Sequence, residues 1–217
     1  MWTMLNALPD TVVEALTAHS RSRHYKRGDT LVYQGDPTST VYYLTGGHAA
    51  VKVGTPQGDT VTVAILGAGD TFGELAHLTD REERTASVVA IDSVSARVVG
   101  SVEFEHLRIA HPEIDRALLR YLARRIDDLS ELLAQAAYET VNRRCTRRLL
   151  EVAEMFRTDD IDTVTISITQ DDLAGLVGAS RPTVNQVLGQ LQDAKIITTG
   201  RGTITVHSRA ALARFSR

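Results

Sequence analysis

The spacing of apolar residues changes character along the chain, and the changes predict different kinds of structure. Residues 10–19 carry apolar side chains at helical spacing, with Asp10 as the expected N-cap. From about residue 24 to 102, short stretches alternate between apolar and polar residues, and glycine-containing turns separate them. Many short strands at nearly even spacing predict an antiparallel barrel or roll. The strands are expected at 30–33, 41–44, 49–53, 61–65 and 87–91.

A long helix is predicted after His111 and Pro112, because neither glycine nor proline follows until Gly175. Within it, residues separated by 4, 3, 4, 3 and 4 positions form an a/d pattern that one arginine interrupts: Leu118, Leu122, Arg125, Leu129, Leu132 and Ala136. Two structures fit. The helix packs on its own barrel, or it pairs with a second subunit, where Arg125 would fix the register or pair with an acid. The heptad spacing and the charged neighbours favour the dimer.

The region beyond Asn142 has the pattern of a winged helix-turn-helix. A helix, a strand over 164–168, two short helices and a hairpin are expected in that order. Thr169 is placed to cap the first short helix, with Asp172 in the reciprocal capping-box position. Gly178 stands at the tight turn and Ser180 caps the second short helix. Caps, turn glycine and apolar spacing agree, which favours a DNA-binding motif over a helical hairpin without special function.

A recognition helix presents its N-terminal residues to base edges in the major groove. Arg181 can donate two hydrogen bonds to guanine O6 and N7, whereas Asn185 and Gln186 suit adenine or a phosphate. The expected DNA contacts are Thr169, Ser180, Arg181, Thr183, Asn185, Gln186 and Arg201, the last at the tip of the wing. Four arginines on the preceding helix are either further phosphate contacts or a solvated face: Arg143, Arg144, Arg147 and Arg148.

Charge and composition narrow the class of protein. The net charge is −3, but residues 143–217 hold eleven Lys/Arg and eight Asp/Glu, so the basic residues favour the DNA-binding half. The single cysteine, Cys145, excludes an internal disulfide, a cysteine-rich zinc site and an iron–sulfur cluster. No apolar run approaches the roughly 18 residues of a membrane span, and the N-terminus lacks the features of a secretory signal. We therefore expect a soluble, cytoplasmic protein without a membrane partner.

The most specific stretch is Phe72-Gly73-Glu74-Leu75-Ala76, followed after a loop by Arg84-Thr85-Ala86. It resembles the phosphate-binding cassette of the CRP/FNR family, the bacterial regulators related to the cyclic-AMP receptor protein. The resemblance covers nearly the whole chain and implies an α+β fold. Its parts are an N-terminal cyclic-nucleotide-binding β-roll of the double-stranded β-helix (jelly-roll) type over 1–110, a long dimerisation helix over 111–140 and a C-terminal winged helix-turn-helix over 141–217.

The chemistry of a cyclic nucleotide agrees with the resemblance. Arg84 can pair with the anionic phosphate, and the Thr85 hydroxyl can add a hydrogen bond. Glu74 can accept a hydrogen bond from the ribose 2′-hydroxyl. Gly73 lets the backbone amides at the start of a short helix over 73–78 approach the phosphate. The alternative is a barrel in which Glu74 and Arg84 form only an internal salt bridge, since likeness of fold does not establish a ligand.

Recognition of the base is less well defined. The resemblance places Leu129 and Ser130 where cyclic-AMP responders carry a threonine and a serine that contact adenine, the serine from the other subunit. Leu129 departs from that pattern and lacks the hydroxyl. Cyclic AMP is the leading effector, while cyclic GMP, another nucleotide or no ligand stays open. The expected ligand contacts are Gly73, Glu74, Leu75, Arg84, Thr85, Leu129 and Ser130.

The DNA-reading positions also depart from the family. Its best-studied members carry Arg-Glu at the start of the recognition helix and a second arginine further on, whereas this chain has Arg181, Pro182 and Gln186. Proline has no side-chain donor or acceptor for a base. We expect a guanine opposite Arg181 to be kept and the neighbouring positions of each half-site to differ.

The combined hypothesis is a homodimer that binds near-palindromic double-stranded DNA, controlled allosterically by a cyclic nucleotide. RNA polymerase is a partner if the protein activates transcription. The rivals are a DNA binder that needs no ligand or another effector, and a nucleotide-sensing subunit acting on a protein partner. No catalytic arrangement points to an enzyme, and no metal or haem is expected. His77 could ligate haem, as in some gas-sensing relatives, but a pocket or surface histidine is favoured. Cys145 is expected to be a partly buried helix residue rather than a redox switch.

Overall fold

Two antiparallel sheets form from the alternating segments of the N-terminal half. In the computed structural model, which describes residues 4–55, 58–79, 82–157 and 162–215, one sheet has the order β1-β8-β3-β6 and the other β2-β7-β4-β5. Their strands are β1 (Arg21–Tyr25), β2 (Thr30–Val32), β3 (Thr40–Gly46), β4 (Ala49–Gly54), β5 (Thr60–Leu66), β6 (Thr71–Phe72), β7 (Ser87–Ala90) and β8 (Val94–Gly100).

The five strands expected from alternation are all present, as β2, β3, β4, β5 and β7. Three others, β1, β6 and β8, were not predicted. The first helix, α1 (Asp10–Ala18), confirms the helical spacing of residues 10–19, but Asp10 is its first helical residue and Pro9 occupies the N-cap position. The expected capping role of Asp10 is therefore wrong. Its carboxylate still lies in the first turn, where a negative charge interacts favourably with the helix dipole.

Two more helices follow the roll. These are α2 (Ser101–Ala110), which was not predicted, and the long helix α3 (Glu113–Tyr138). The chain divides into two compact units: Met1–Gly54 with Ile65–Leu129, and Thr55–Ala64 with Ser130–Arg217. Helix α3 therefore contributes to both units.

The first unit has two apolar cores. One lies inside the roll and includes Leu44, Phe72, Val94 and Ala96. The other joins α1, α2 and the start of α3 to the outside of the roll, through Phe104, Ile114 and Leu118 among others. Since Leu118 is only 1% exposed within its own chain, its side chain is not available to a second subunit. The predicted dimer contact of Leu118 is therefore wrong.

The second unit is a winged helix-turn-helix. Its helices are α4 (Val141–Met155), α5 (Gln170–Val177), α6 (Arg181–Asp193) and α7 (Arg209–Phe215). A three-stranded sheet of order β10-β11-β9 completes it, formed by β9 (Val164–Ile166), β10 (Ile197–Gly200) and β11 (Thr203–Val206). Helix α7 was not predicted. The apolar faces of α5 and α6 are buried as expected, and the largest buried side chains there are Leu173, Leu188 and Leu191.

Candidate functional site

The first unit encloses a cavity of about 500 Å³ between the roll and α3. This volume is within the range of small-molecule sites. Six of the predicted ligand residues line it: Gly73, Glu74, Leu75, Arg84, Thr85 and Leu129. Apolar walls come from Val32, Val51, Leu66, Phe72, Val88, Leu122 and Ile126. Ser130 belongs to the second unit, and its contact with a ligand stays a prediction.

Gly73 makes room for the guanidinium of Arg84. The glycine has a φ of 90°, and a Cβ at this position would lie 2.2 Å from Nη1 of Arg84 and 2.7 Å from the backbone oxygen of Thr40. Both the backbone conformation and the close approach require glycine. The predicted short helix is present as a 3-10 turn over Glu74–His77, for which Gly73 is the N-cap.

Arg84 is held from one side only. Its Nη2 donates to the backbone oxygen of Thr40 at 2.6 Å and to the Thr40 hydroxyl at 3.0 Å. Its guanidinium carbon lies 5.9 Å from the ring centroid of Tyr42, which is within cation–π range. Tyr42 in turn stacks on Phe72, with the ring centroids 4.6 Å apart. These contacts fix the plane of the guanidinium and leave its remaining donors unused.

Several buried polar atoms beside the cavity have no protein partner within the described residues. They are Nε and Nη1 of Arg84, Oε2 of Glu74 and Oγ1 of Thr71. Arg84 is 7% exposed and Glu74 is 5% exposed. A buried donor or acceptor left unpaired costs about 1–3 kcal/mol, and more for a charged group. The simple internal salt bridge does not account for these atoms, whereas a ligand carrying an anion and a hydroxyl would satisfy them.

Burial also shifts the protonation equilibria of this cluster. Loss of solvation raises the pKa of Glu74 to about 7, although Arg125 and Arg84 favour the ionised carboxylate. Loss of solvation likewise lowers the pKa of Arg84. A low-polarity environment strengthens the attraction between Arg84 and an incoming anion. The cavity therefore combines a buried guanidinium with unpaired donors and a buried carboxyl group whose pKa is raised.

Arg125 lines the cavity and is half-buried, and its place in a dimer seam stays a prediction. Three exposed apolar residues of α3 lie one position beyond predicted seam residues: Leu119 is 69%, Ile126 63% and Leu133 73% exposed. Leu129, which the sequence did place in the seam, is 54% exposed. This exposed stripe retains heptad spacing, but it shares only Leu129 with the fully exposed part of the predicted seam. Leu122 and Leu132 are half-buried and Ala136 is exposed.

The sequence did not identify Thr40 and Tyr42, which contact Arg84, or Arg125, which lines the cavity. The first two lie on β3, where alternation marks them only as strand positions. Arg125 did carry a signal, because an arginine at an otherwise apolar heptad position needs a polar partner. That partner was sought across a subunit interface, whereas the structure places the side chain beside Glu74 and Asp70, whose pKa burial also raises.

The helix-turn-helix of the second unit has the predicted caps. The hydroxyl of Thr169 accepts from the backbone amide of Asp172 at 3.0 Å, and Oδ2 of Asp172 accepts from the backbone amide of Thr169 at 3.0 Å. Gly178 has a φ of 66° at the turn. The hydroxyl of Ser180 accepts from the backbone amide of Thr183 at 3.4 Å, which confirms Ser180 as the N-cap of α6.

The side chains predicted to contact DNA lie on the surface of the second unit. Thr169, Ser180, Arg181, Asn185, Gln186 and Arg201 are exposed, and Thr183 is half-buried. Arg201 lies in the turn between β10 and β11. An exposed polar face at the start of α6 is the feature that a recognition helix requires.

The arginines of α4 have structural partners. Arg144 donates to four backbone oxygens at helix ends, those of Ala136, Glu139, Val177 and Gly178. Arg147 donates to Oε1 of Glu139 at 2.6 Å, and Arg148 to Oε2 of Glu151 at 2.5 Å. The bonds from Arg144 satisfy carbonyl groups left open near the C-terminal ends of helices, whereas Arg147 and Arg148 form ion pairs. Three of the four arginines thus have structural partners within the unit, and a phosphate contact is not needed to account for these three.

A segment of β5 belongs to the second unit and contacts α5. Oγ1 of Thr62 donates to Oδ1 of Asp172 at 2.7 Å, with Thr62 3% and Asp172 4% exposed. A Cβ on Gly175 would lie 2.7 Å from both the backbone nitrogen and the backbone oxygen of Thr62. The capping-box aspartate therefore also holds this strand, and Gly175 allows its backbone to approach.

The remaining candidates carry no further chemistry in the described residues. Cys145 is buried at 0% exposure, and burial raises the pKa of its thiol to about 12, as suits a structural cysteine. The His77 side chain lies outside the described part of the structure. The described residues contain no cluster of metal-ligating side chains. They also contain no helix that combines the length and hydropathy needed to cross a membrane.

Comparison with known families matches one family domain to each part of the chain. Residues 22–111 match the cyclic nucleotide-binding domain, and residues 143–215 match the Crp-like helix-turn-helix domain. The cAMP-activated global transcriptional regulator CRP of Salmonella typhimurium is 30% identical over 201 residues, covering 91% of this chain and 95% of that protein. The CRP-like cAMP-activated global transcriptional regulator of Mycobacterium tuberculosis is 31% identical over 209 residues, covering 95% and 93%.

Solved structures show the same fold. The c-di-GMP-responsive global regulator CLP of Xanthomonas campestris superimposes with a TM-score of 0.78 at 20% identity, over 92% of this chain and 100% of that one. The catabolite activator protein of Thermus thermophilus gives a TM-score of 0.55 at 27% identity, over 98% and 97%. The chain belongs to the CRP/FNR family of DNA-binding transcriptional regulators, with a cyclic nucleotide-binding domain joined to a helix-turn-helix.

Proposed function

We propose that this protein is a homodimeric, sequence-specific regulator in the cytoplasm whose affinity for DNA is set by a cyclic nucleotide bound in the cavity of the first unit. One observation carries the effector half of the proposal. Arg84 is buried beside a cavity of about 500 Å³ with two donors, Nε and Nη1, that no described protein group accepts. A cyclic phosphate would accept from both, and Oε2 of Glu74 would accept from a ribose hydroxyl.

Cyclic AMP is the first candidate effector. Two of the relatives are described as cAMP-activated, and the anion and hydroxyl positions suit any cyclic nucleotide. The wall where a base would lie is apolar, with Ile126 and Leu129 among its residues. Because Leu129 offers no hydrogen bond to a base, we expect discrimination between cyclic AMP and cyclic GMP to depend mainly on shape and on Ser130 of the other subunit.

Calorimetry with cyclic AMP and cyclic GMP tests the effector. The wild type should bind at least one of them, and Arg84→Gln should weaken that binding by roughly 10-fold to 100-fold, the worth of a charge-assisted pair. Arg97→Gln is a matched control, since Arg97 lies on β8 outside the cavity lining. Absence of heat for both nucleotides, with protein that still binds DNA, would reject cyclic-nucleotide control.

The DNA half of the proposal rests on the exposed start of α6. Two copies related by a two-fold axis would bind a near-palindromic site with half-site centres about 34–36 Å apart. Selection from a random DNA pool should recover such sites, with a guanine in each half-site that Arg181→Ala makes dispensable. The proposal extends to RNA polymerase as a partner if the bound protein activates transcription.

A second candidate is a regulator that binds DNA without a ligand, and Leu129 favours it because the position offers no hydroxyl to adenine. Ligand changes DNA affinity only if it binds two conformations with different affinity. Equal DNA affinity with and without saturating nucleotide would favour this candidate. A subunit that acts on a protein partner would instead show no loss of function on Arg181→Ala.

A further inference from the structure

The first residue of the recognition helix has an acidic partner on the neighbouring helix. Nη1 of Arg181 lies 3.2 Å from Oδ2 of Asp171, the second residue of α5. Both side chains face solvent, at 57% and 64% exposure. The pair therefore lies on the exposed face that would meet DNA, rather than in the core of the unit.

The two residues that follow Arg181 on its own helix offer it no hydrogen-bond partner in the described structure. Pro182 has no polar side-chain atom, and the hydroxyl of Thr183 lies 2.8 Å from the hydroxyl of Ser180, within the N-cap. An unrestrained arginine loses side-chain entropy when it forms a bidentate pair with a base. A carboxylate bound to one end of the guanidinium reduces that loss, and the other donors remain for guanine O6 and N7.

The contribution of this pair to the stability of the fold is small. An exposed ion pair contributes about 0–1 kcal/mol to stability. Asp171 adds about 0.3–1 kcal/mol as an acid in the first turn of α5, whose capping box is formed by Thr169 and Asp172. A carboxylate on a DNA-facing surface also opposes the phosphates, since binding affinity for DNA grows with positive charge. Asp171 thus opposes the general affinity for DNA, and a gain in discrimination between bases would offset this cost.

We propose that Asp171 is a specificity-determining residue that positions the guanidinium of Arg181 to select guanine. The inference rests on the proposed function, because it assumes that Arg181 contacts a base. A variant that removes the carboxylate of Asp171 should therefore change specificity and general affinity differently. Discrimination at one base pair should fall, while affinity for unrelated DNA should stay equal or rise.

The test uses the full-length protein and the DNA site selected by the wild type. Dissociation constants are measured for that site, for the site with the guanine opposite Arg181 replaced, and for unrelated DNA, at several salt concentrations. We expect the wild type to prefer guanine by roughly 5-fold to 100-fold, and Asp171→Asn to reduce this ratio to below about 3-fold. Asp193→Asn removes an exposed acid from the last turn of α6 and should leave the ratio unchanged.

The variants distinguish the role of Asp171 from base reading by Arg181. In the Arg181→Ala background, Asp171→Asn should have no further effect on the ratio, because the two residues act as one unit. A wild-type ratio in Asp171→Asn, together with loss of the ratio in Arg181→Ala, overturns the role of Asp171 and leaves the proposed function intact. An unchanged ratio in Arg181→Ala overturns base reading by Arg181 and the role of Asp171 with it. Unchanged thermal unfolding of Asp171→Asn establishes that the variant is folded.

Discussion

At the scale of single residues, the cavity depends on one glycine. We expect Gly73→Ala to abolish tight binding of the effector, because φ is 90° and the new Cβ would lie 2.2 Å from Nη1 of Arg84. Nucleotide affinity should fall at least ~10-fold, and the free energy of unfolding by about 1–2 kcal/mol. Calorimetry and chemical denaturation measure the two effects.

Gly28 supplies the matched control for this substitution. It has nearly the same φ, 91°, but a Cβ there meets nothing within 4 Å. Gly28→Ala should therefore show the cost in stability without the loss of affinity. Equal affinity losses in the two variants would mean that backbone strain alone, and not the space beside Arg84, explains the requirement for glycine.

The carboxyl group of Glu74 predicts a pH dependence of stability. Burial raises its pKa from 4.5 to about 7, so the folded state binds this proton more tightly than the unfolded state does. The stabilisation of the folded state that comes from this proton is fully present below about pH 4.5 and is lost as the pH rises through about 7. Relative to Glu74→Gln, the wild type should therefore lose about 1–3 kcal/mol in the free energy of unfolding between these limits.

Denaturant unfolding at about pH 5 and about pH 8 measures this difference. Glu82→Gln controls for the removal of one carboxyl group from the same region, because Glu82 is exposed. A gap between wild type and Glu74→Gln that does not change with pH would contradict the assigned environment of Glu74.

At the scale of elements, the sequence predicted most of the scaffold where the local signals were complete. The capping box at Thr169 and Asp172, the turn at Gly178 and the N-cap at Ser180 specify their helices locally, and all are confirmed. Strand β8 was missed because only three residues, Ile91–Ser93, separate it from β7, and none is glycine or proline. Strand β1 was missed because most of it is exposed, so it has no apolar alternation.

The cavity was only partly predictable for a different physical reason. Glu74 and Arg84 stand in a local motif, whereas Thr40 and Tyr42 reach Arg84 through the pairing of strands. Such contacts depend on register across the sheet, and the sequence alone does not specify it. Leu119, Ile126 and Leu133 of the exposed stripe lie one position away from predicted seam residues because Leu118 packs against the roll, and such a tertiary contact is not specified by the helix's own spacing.

The contact between β5 and α5 predicts opposite effects for two helical glycines. Gly175→Ala should destabilise the second unit, because its Cβ would lie 2.7 Å from backbone atoms of Thr62. Gly189→Ala on α6 meets nothing within 4 Å and should raise the free energy of unfolding by up to about 1 kcal/mol through helix propensity. Thermal unfolding of the two variants measures the signs, and stabilisation by both would contradict the close approach of Thr62.

At the scale of the whole molecule, the exposed stripe on α3 predicts how two copies associate. Leu119 and Leu133 are 69% and 73% exposed, and apolar side chains at heptad spacing on a charged helix are typical of a coiled-coil seam. Leu119→Glu should therefore convert a dimer into a monomer. DNA affinity should fall by more than ~100-fold, because each half-site is then bound without the other.

A substitution at Ile109 is the control that distinguishes loss of the α3 interface from the general effect of placing a charge on an exposed apolar residue. It is 72% exposed but lies on α2, so Ile109→Glu should leave the mass in solution and the DNA affinity unchanged. Analytical ultracentrifugation gives the mass of each variant, and titration of the selected DNA site gives the affinity. A dimeric Leu119→Glu would place the interface elsewhere. A monomeric variant with wild-type DNA affinity would instead show that two-fold pairing is unnecessary for recognition, because a single winged helix would then supply the whole binding energy.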